Sequence, residues 1–318
     1  MKSQRIVCVV GPTACHKTEL STALALAADG EIVSADSVQV YRGMDIGSAK
    51  PSLEERRGVP HYMLDCVSIG EADFSVSRYR DLAMQEIAGI MGRGRVPIVV
   101  GGSGLYVDAL TRPLGFAVPG DPAVRARIGA EYDENPAGTY ASLCRLDPDT
   151  AARLHPNDKK RVVRALEVLR CTGKPISSFG NDFANAAGED APCEPLMIGL
   201  DMDRAELYRR ISRRVDLMLE NGLLGEAKRI FDAGYDPDLP AMQSIGYRQL
   251  FGYFSGECAL SEAIERIKLD TRHFAKRQLT WFRRDPRIRW YDVTQYDEQK
   301  DALIGALTDL VGGWMKGT

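Results

Sequence analysis

The chain is predicted to fold as an α/β protein: a parallel sheet flanked by helices, with an inserted all-helical subdomain. Three observations carry that prediction. Over the first third, short apolar runs alternate with helix-forming stretches, the pattern of parallel strands buried on both faces. A glycine-led loop joins the first of those runs to the first helix. From about Pro119 the strand signals cease, and they return only with the apolar run at 196–200. The expected division is therefore 1–118 for the first part of the core and 119–193 for the helical insertion. Residues 194–318 return to the core and add basic carboxy-terminal helices.

Each element follows from local composition. Residues 6–10 are wholly apolar and read as strand one. Residues 17–28 are rich in alanine and leucine, strong helix formers, and end near Asp29-Gly30. Strand two covers 31–35 and ends at Asp36, a helix covers 77–91, and an apolar strand at 97–100 ends at Gly101-Gly102. Within the insertion, 124–132, 136–146 and 158–171 are expected helices. The stretch 180–195, rich in Asn, Ala, Gly and Pro, reads as a linker or mobile loop. After the strand at 196–200, helices are expected over 204–221, 223–233, 243–254 and 261–282. There are no internal repeats and no low-complexity tracts.

A chain of 318 residues suits about two domains, each able to bury a core. Its apolar share of 44% and charged share of 27% are those of a water-soluble globular protein. The amino terminus runs straight into the first strand, and no apolar run is long enough to cross a bilayer. A cytoplasmic protein with no signal peptide and no membrane partner is expected. The seven cysteines are scattered without a C-x-x-C pair, so neither a zinc site nor a disulfide framework is expected. The net charge of -3 means that any nucleic-acid site must be a local patch.

Between the first strand and the first helix stands Gly11-Pro12-Thr13-Ala14-Cys15-His16-Lys17-Thr18. It matches the phosphate-loop pattern G-x-x-x-x-G-K-[ST], except that His16 replaces the second glycine. Loop amides and the helix amino terminus would surround a phosphate group, with Lys17 as a point charge and Thr18 on a magnesium ion. The core is thus expected to be a P-loop NTPase-like sheet that binds a nucleotide or another phosphate ester. Histidine at position 16 would cost about 1 kcal/mol if its φ is positive. If protonated beside a bound anion it would offset that cost, and anion affinity would then fall as pH rises.

Asp36 sits at the carboxyl end of strand two, on the rim where ligands bind in a parallel sheet. A carboxylate there can hold magnesium, orient a ribose, act as a general base or simply cap a helix. Gly101-Gly102-Ser103-Gly104 follows the third apolar strand, where many phosphate-loop ATPases place a magnesium-binding aspartate. Glycines there permit close approach of a ligand, or a tight turn. Two basic clusters stand out, Lys159, Lys160, Arg161 and Arg164, and Arg272, Lys276, Arg277, Arg283 and Arg284. The second is interleaved with Phe274, Trp281 and Phe282, a mixture suited to the phosphates and loop bases of a nucleic acid or to a solvated face. His61, His155 and His273 show no ligand spacing.

Several segments together resemble the tRNA dimethylallyltransferases, also called tRNA isopentenyltransferases, of bacterial type. They are 11–18, 34–51, 101–106, 121–125, 155–158 with 161–168, 246–249 and 275–282, in family order over nearly the whole chain. The resemblance implies transfer of a dimethylallyl group from dimethylallyl diphosphate to the exocyclic amine of the adenosine beside the tRNA anticodon. It implies Mg2+ as cofactor and Asp36, Thr18, Ser103 and Arg214 as catalytic residues. Ser103 replaces the family's usual threonine, and Arg214 falls where the family holds the diphosphate. Implied tRNA contacts are Asp36, Ser37, Val38, Gln39, Ser103, Arg125, Lys160, Arg161, Val162, Val163 and Arg164. Further along the chain they are Gln243, Ser244, Ile245, Gly246, Tyr247, Arg248, Lys276, Arg277, Gln278 and Trp281. The pair Cys15-His16 departs from the family's Ser-Gly, and no zinc-finger spacing follows Trp290. A monomer is expected. A phosphate-loop kinase of small molecules and a transferase acting on free AMP are the competing enzymes. A non-enzymatic RNA-binding module is the remaining class, and it has no need of the phosphate loop or of Asp36.

Overall fold

The structure, a computed structural model, describes residues 4–114, 121–179 and 191–317. The chain begins with β1 (Gln4–Val10), α1 (Lys17–Ala27), β2 (Gly30–Ser34), the single-turn α2 (Leu53–Arg56) and β3 (His61–Tyr62). There follow α3 (Val76–Gly92), β4 (Val96–Gly101) and α4 (Gly104–Thr111). Four helices come next: α5 (Pro122–Glu134), α6 (Pro136–Leu146), α7 (Pro148–Ala151) and α8 (Lys159–Thr172), then a 3-10 turn at Ile176–Phe179. The chain continues through β5 (Cys193–Asp201), α9 (Arg204–Glu220), α10 (Leu223–Asp232), α11 (Tyr247–Phe254) and α12 (Leu260–Phe282). It closes with β6 (Arg289–Asp292) and α13 (Tyr296–Lys316).

These elements form two compact units, Met1–Thr111 with Pro192–Thr318, and Arg112–Ala191. In the first, one six-stranded sheet has the order β3-β2-β4-β1-β5-β6, with every pairing parallel. In β1 successive side chains alternate between the two faces. Ile6, Cys8 and Val10 pack with Tyr79, Ile87 and Ile90 of α3, while Val7 and Val9 pack with Leu20 and Leu24 of α1 and Leu307 and Val311 of α13. Both faces are buried, which is why these strands contain no polar alternation. The chain leaves β1 towards β2 on one side, while β5 lies on the other, so the carboxyl end of β1 is a switch point where ligands bind.

The second unit has its own core of Ile128, Tyr132, Leu143, Val162, Ala165 and Leu166. Its helix starts repeat one device, an Asp or Asn cap followed by proline, at Asp121-Pro122, Asn135-Pro136 and Asp147-Pro148. The cap oxygen accepts an otherwise orphaned amide, and proline has no amide to leave unpaired.

The structure amends the expected elements at several points. Cys193–Pro195 belong to β5 and pair with β1, so the linker reading fails there; its 180–190 portion lies outside the described residues, as does the expected boundary at 118–119. Residues 243–246 are not helical, because Gly246 takes φ +97° and α11 starts only after it. β3, β6 and α13 were not among the expected elements. Two- and four-residue edge strands carry too little apolar sequence to register.

Candidate active site

The carboxyl ends of β1, β2 and β4 open into a cavity of about 660 Å3. Residues 13–16 of the loop form one wall, with Gly11 and Pro12 outside the lining, and the loop is pinned from three sides. Lys17 Nζ folds back and donates to the Pro12 carbonyl at 2.6 Å. Gln278 of α12 accepts from the Thr13 amide at 2.9 Å and donates to the Gly102 carbonyl at 3.1 Å. From α9, Arg210 donates to the Ala14 carbonyl at 2.9 Å and Arg214 to the Thr13 hydroxyl at 3.3 Å. Gln278 thus ties the loop to the end of β4. A Cβ on Gly102 would lie 2.0 Å from the Gln278 amide nitrogen, so glycine there admits Gln278 rather than a ligand.

Lys17 and Arg214 have only neutral partners within hydrogen-bonding range among the described residues. Burial pushes both groups below their ordinary pKa values, and a neighbouring arginine lowers each further, Arg214 for Lys17 and Arg210 for Arg214. Two cations held in this way lack an anion, and a phosphate ester entering the cavity would supply it.

Asp36 follows β2 and lines the same cavity. Its Oδ1 accepts from the amides of Val38 (2.8 Å) and Gln39 (3.2 Å), while Oδ2 makes no hydrogen bond among the described residues. One oxygen therefore caps the local turn and the other remains available to a ligand. Ser37, Val38 and Gln39 also line the cavity, as do Gln243, Ser244, Ile245, Gly246, Arg248 and Arg277. Apolar side chains of Phe74, Tyr106, Val215, Met218 and Leu223 complete the wall. Phosphate-binding groups, a carboxylate and an apolar surface thus meet in one space.

His16 adopts φ +60°, the left-handed conformation anticipated for that position. The ring stacks on Tyr296 of α13 at 4.2 Å between centroids. Its Nδ1 lies 3.4 Å from Glu19 and 3.5 Å from Arg210. Burial and then Arg210 hold its pKa below the ordinary value, with Glu19 opposing. In the ligand-free protein these contacts favour the neutral ring, and the cations beside the loop are Lys17, Arg210 and Arg214.

Other expected site residues are placed differently. Ser103 Oγ accepts from the Ser37 amide at 2.9 Å and lies 3.2 Å from the Ser37 hydroxyl, while the cavity wall takes Gly101 and Gly102. Tyr247 and Val162 are fully buried and Val163 nearly so, so their side chains are core and not contact surface. The Tyr247 hydroxyl donates to Glu226 at 2.6 Å. Trp281 packs against Gly104 and donates to Asp108 at 2.9 Å, outside the cavity wall. Lys276 and Arg277 are exposed on α12, Arg277 over the Phe274 ring.

In the helical unit Arg125 and Arg164 both pair with the buried carboxylate of Glu167, at 3.1 and 2.8 Å. Arg161 faces Asp158 at 3.5 Å, and Lys160 is exposed. Arg210, Glu226 and Glu167 were not among the expected residues. An arginine one helical turn before Arg214 was a visible signal; the two glutamates had none.

The fold and the cavity define a P-loop NTPase-like protein in which the loop cations and a carboxylate share one cavity. The IPP transferase family model matches residues 39–285, and the chain belongs to that family. The tRNA dimethylallyltransferase of Desulforudis audaxviator is 47% identical over 308 residues, covering 96% of each chain. The full-length tRNA isopentenylpyrophosphate transferase of Bacillus halodurans has a TM-score of 0.73 and 40% identity, covering 99% of this chain and 98% of its own. A eukaryotic dimethylallyltransferase acting on tRNA gives a TM-score of 0.84 at 28% identity, covering 99% of this chain and 80% of its own.

Proposed function

We propose that the protein transfers a dimethylallyl group from dimethylallyl diphosphate to the exocyclic amine of the adenosine beside the anticodon of tRNA. The observation that carries this reading is the single cavity shared by Lys17, Arg210, Arg214 and Asp36. In the step, the carbon–oxygen bond to the diphosphate breaks and a carbon–nitrogen bond to the amine forms. The diphosphate leaves with the bonding electron pair, held by Lys17, Arg214 and the loop amides. The amine is weakly nucleophilic because its lone pair is delocalised into the ring, and Asp36 takes the proton it must lose. Ser103 steadies Ser37 beside the receiving amine.

No group of three or more His, Cys, Asp or Glu side chains able to hold a metal occurs among the described residues. The Thr18 hydroxyl lines the cavity without a hydrogen bond among those residues. This donor set fits Mg2+, which keeps several waters and takes phosphate oxygens together with one or two protein ligands. When bound, Mg2+ would neutralise charge on the diphosphate. Lys276 and Arg277, with Arg125, Lys160, Arg161 and Arg164 of the helical unit, are the proposed basic RNA contacts, and the target base must leave its stack to enter the cavity. Among the described residues no helix is long and apolar enough to cross a membrane.

Incubation with dimethylallyl diphosphate and tRNA, followed by mass spectrometry of anticodon-loop nucleosides, tests the reading. A dimethylallyl adduct on adenosine is expected. Modification of free AMP but not of tRNA would replace it with a transferase of small nucleotides, and transfer of phosphate from ATP would replace it with a kinase.

A further inference from the structure

Glu226 lies outside the cavity and outside every motif discussed above. It stands on α10 and is 2% exposed. Four donors converge on its carboxylate. They are the amides of Asp45 (3.0 Å), Ile46 (3.0 and 3.1 Å) and Gly47 (3.0 Å), and the hydroxyl of Tyr247 (2.6 Å). An acceptor-only group answers such a set, and loss of one acceptor would leave buried amides unpaired. The approach is close: a Cβ on Gly47 would lie 2.7 Å from the Tyr247 oxygen.

The loop held in this way reaches the site. Gly47, Ser48 and Ala49 line the cavity. Gln39 Nε2 donates to the carbonyls of Ser48 (3.3 Å) and Ala49 (3.1 Å), and its Oε1 accepts from the Ser34 hydroxyl (3.0 Å). The Gln39 amide in turn donates to Asp36 Oδ1. Hydrogen bonds joined by the backbone of residues 45–49 and by Gln39 itself therefore link Glu226 to Asp36. We propose that Glu226 is a positioning residue for Asp36: by clamping the amides of residues 45–47 it fixes the carbonyls that hold Gln39, and Gln39 holds the carboxylate towards the cavity. The catalytic consequence rests on the role of Asp36 proposed above; the clamp itself does not.

Amide hydrogen exchange and steady-state kinetics on Glu226→Gln and Tyr247→Phe test both parts. Glu226→Gln turns one acceptor oxygen into a donor facing amides, and Tyr247→Phe removes one donor while keeping the ring. Segment 36–49 should exchange about tenfold faster in Glu226→Gln and about threefold faster in Tyr247→Phe, with segment 11–18 unchanged. kcat should fall about ten- to a hundredfold and about threefold respectively, while affinity for inorganic diphosphate stays within about twofold. Unchanged exchange in both variants would overturn the clamp. Faster exchange with unchanged kcat, or equal losses in kcat and diphosphate affinity, would overturn the positioning role. If Glu226→Gln shows no cooperative thermal transition, Tyr247→Phe decides by the same readouts. A parent protein without transfer activity would remove the role of Asp36 and leave exchange to decide the clamp.

Discussion

In the sheet-bearing unit the three cations beside the phosphate loop face neutral oxygens: Lys17 the Pro12 carbonyl, Arg214 the Thr13 hydroxyl and Arg210 the Ala14 carbonyl. In the helical unit the expected RNA-binding arginines face carboxylates: Arg125 and Arg164 meet Glu167, and Arg161 faces Asp158. The first arrangement stores an unfavourable state, since burial disfavours the charges until an anion arrives. In the second the charges are already answered, and because Glu167 is itself buried, handing Arg125 or Arg164 to an RNA phosphate would uncover a buried carboxylate and leave little net gain. On the proposed function, affinity for a small anion should therefore be concentrated in the cavity, with the helical unit contributing orientation more than strength. Substitutions on each side should separate accordingly.

The largest effect should come from Asp36→Asn. It removes the proton acceptor and leaves the capping oxygen that holds the turn. kcat should fall by about two to four orders of magnitude while tRNA affinity changes by less than about threefold. Rapid-quench turnover and filter binding measure the two quantities. Turnover within a few fold of the parent would exclude Asp36 as the base.

Arg214→Met should weaken binding of inorganic diphosphate by about ten- to a hundredfold, the range for a hydrogen bond to a charged group. tRNA affinity should be unchanged. Calorimetric titration checks the first, and an equal loss for both ligands would break the separation drawn above.

Why the sequence revealed one region more fully than the other is a matter of how each side chain announces its partner. The phosphate loop was legible because its chemistry is local: glycine, lysine and hydroxyl stand within eight residues, between an apolar strand and a helix. Asp36 was legible because strand ends in a parallel sheet share one rim. Glu226 and Glu167 were not, since a glutamate in a polar helix reads as a surface residue until its tertiary partners are known. Tyr247 and Val162 were drawn in as contacts by neighbouring motif residues, whereas burial assigns their side chains to packing, and the half-buried Trp281 is held by Asp108. The stripe Ile304, Leu307, Val311 and Trp314 of α13 has helical spacing, and its contact with the first helix emerges only in three dimensions.

The RNA side of the comparison is sharpened by two variants. Lys276 and Arg277 make no ion pair among the described residues, whereas Arg125 is already half-neutralised by Glu167. Replacing Lys276 and Arg277 together with alanine should weaken tRNA binding about tenfold at 0.1 M salt and lower the slope against log salt by about 1–2. Arg125→Ala should cost only about two- to threefold, because part of its charge already serves Glu167. Affinity for dimethylallyl diphosphate should not move in either. Binding isotherms between 50 and 200 mM salt, ranges chosen for the counterion effect, decide the order.

The smallest effect concerns His16, the one loop residue whose interactions resemble those of the helical unit more than its neighbours'. Its ring is sheltered by Tyr296 and flanked by Glu19 and Arg210, with Asp297 nearby and Lys300 paired to Glu19. The folded-state pKa lies below the ordinary value of about 6.5. The unfolded chain therefore takes up the proton first as pH falls. The stability associated with the neutral ring is complete above the unfolded value and is lost as pH drops through it towards the folded value. His16→Gly has no such group, and it also relieves the left-handed backbone, worth about 1 kcal/mol, while giving up the stack on Tyr296. Near pH 7.5 these two terms nearly offset, so the melting temperatures should lie close together. Lowering the pH to 5.5 should cost the parent stability relative to the variant, in thermal melts of the ligand-free proteins. A gap that stays constant would mean that folding leaves the proton affinity of the ring unchanged, and one that moves in the parent's favour at low pH would mean that the folded protein holds the charged ring and that His16 belongs with the cations of the cavity after all.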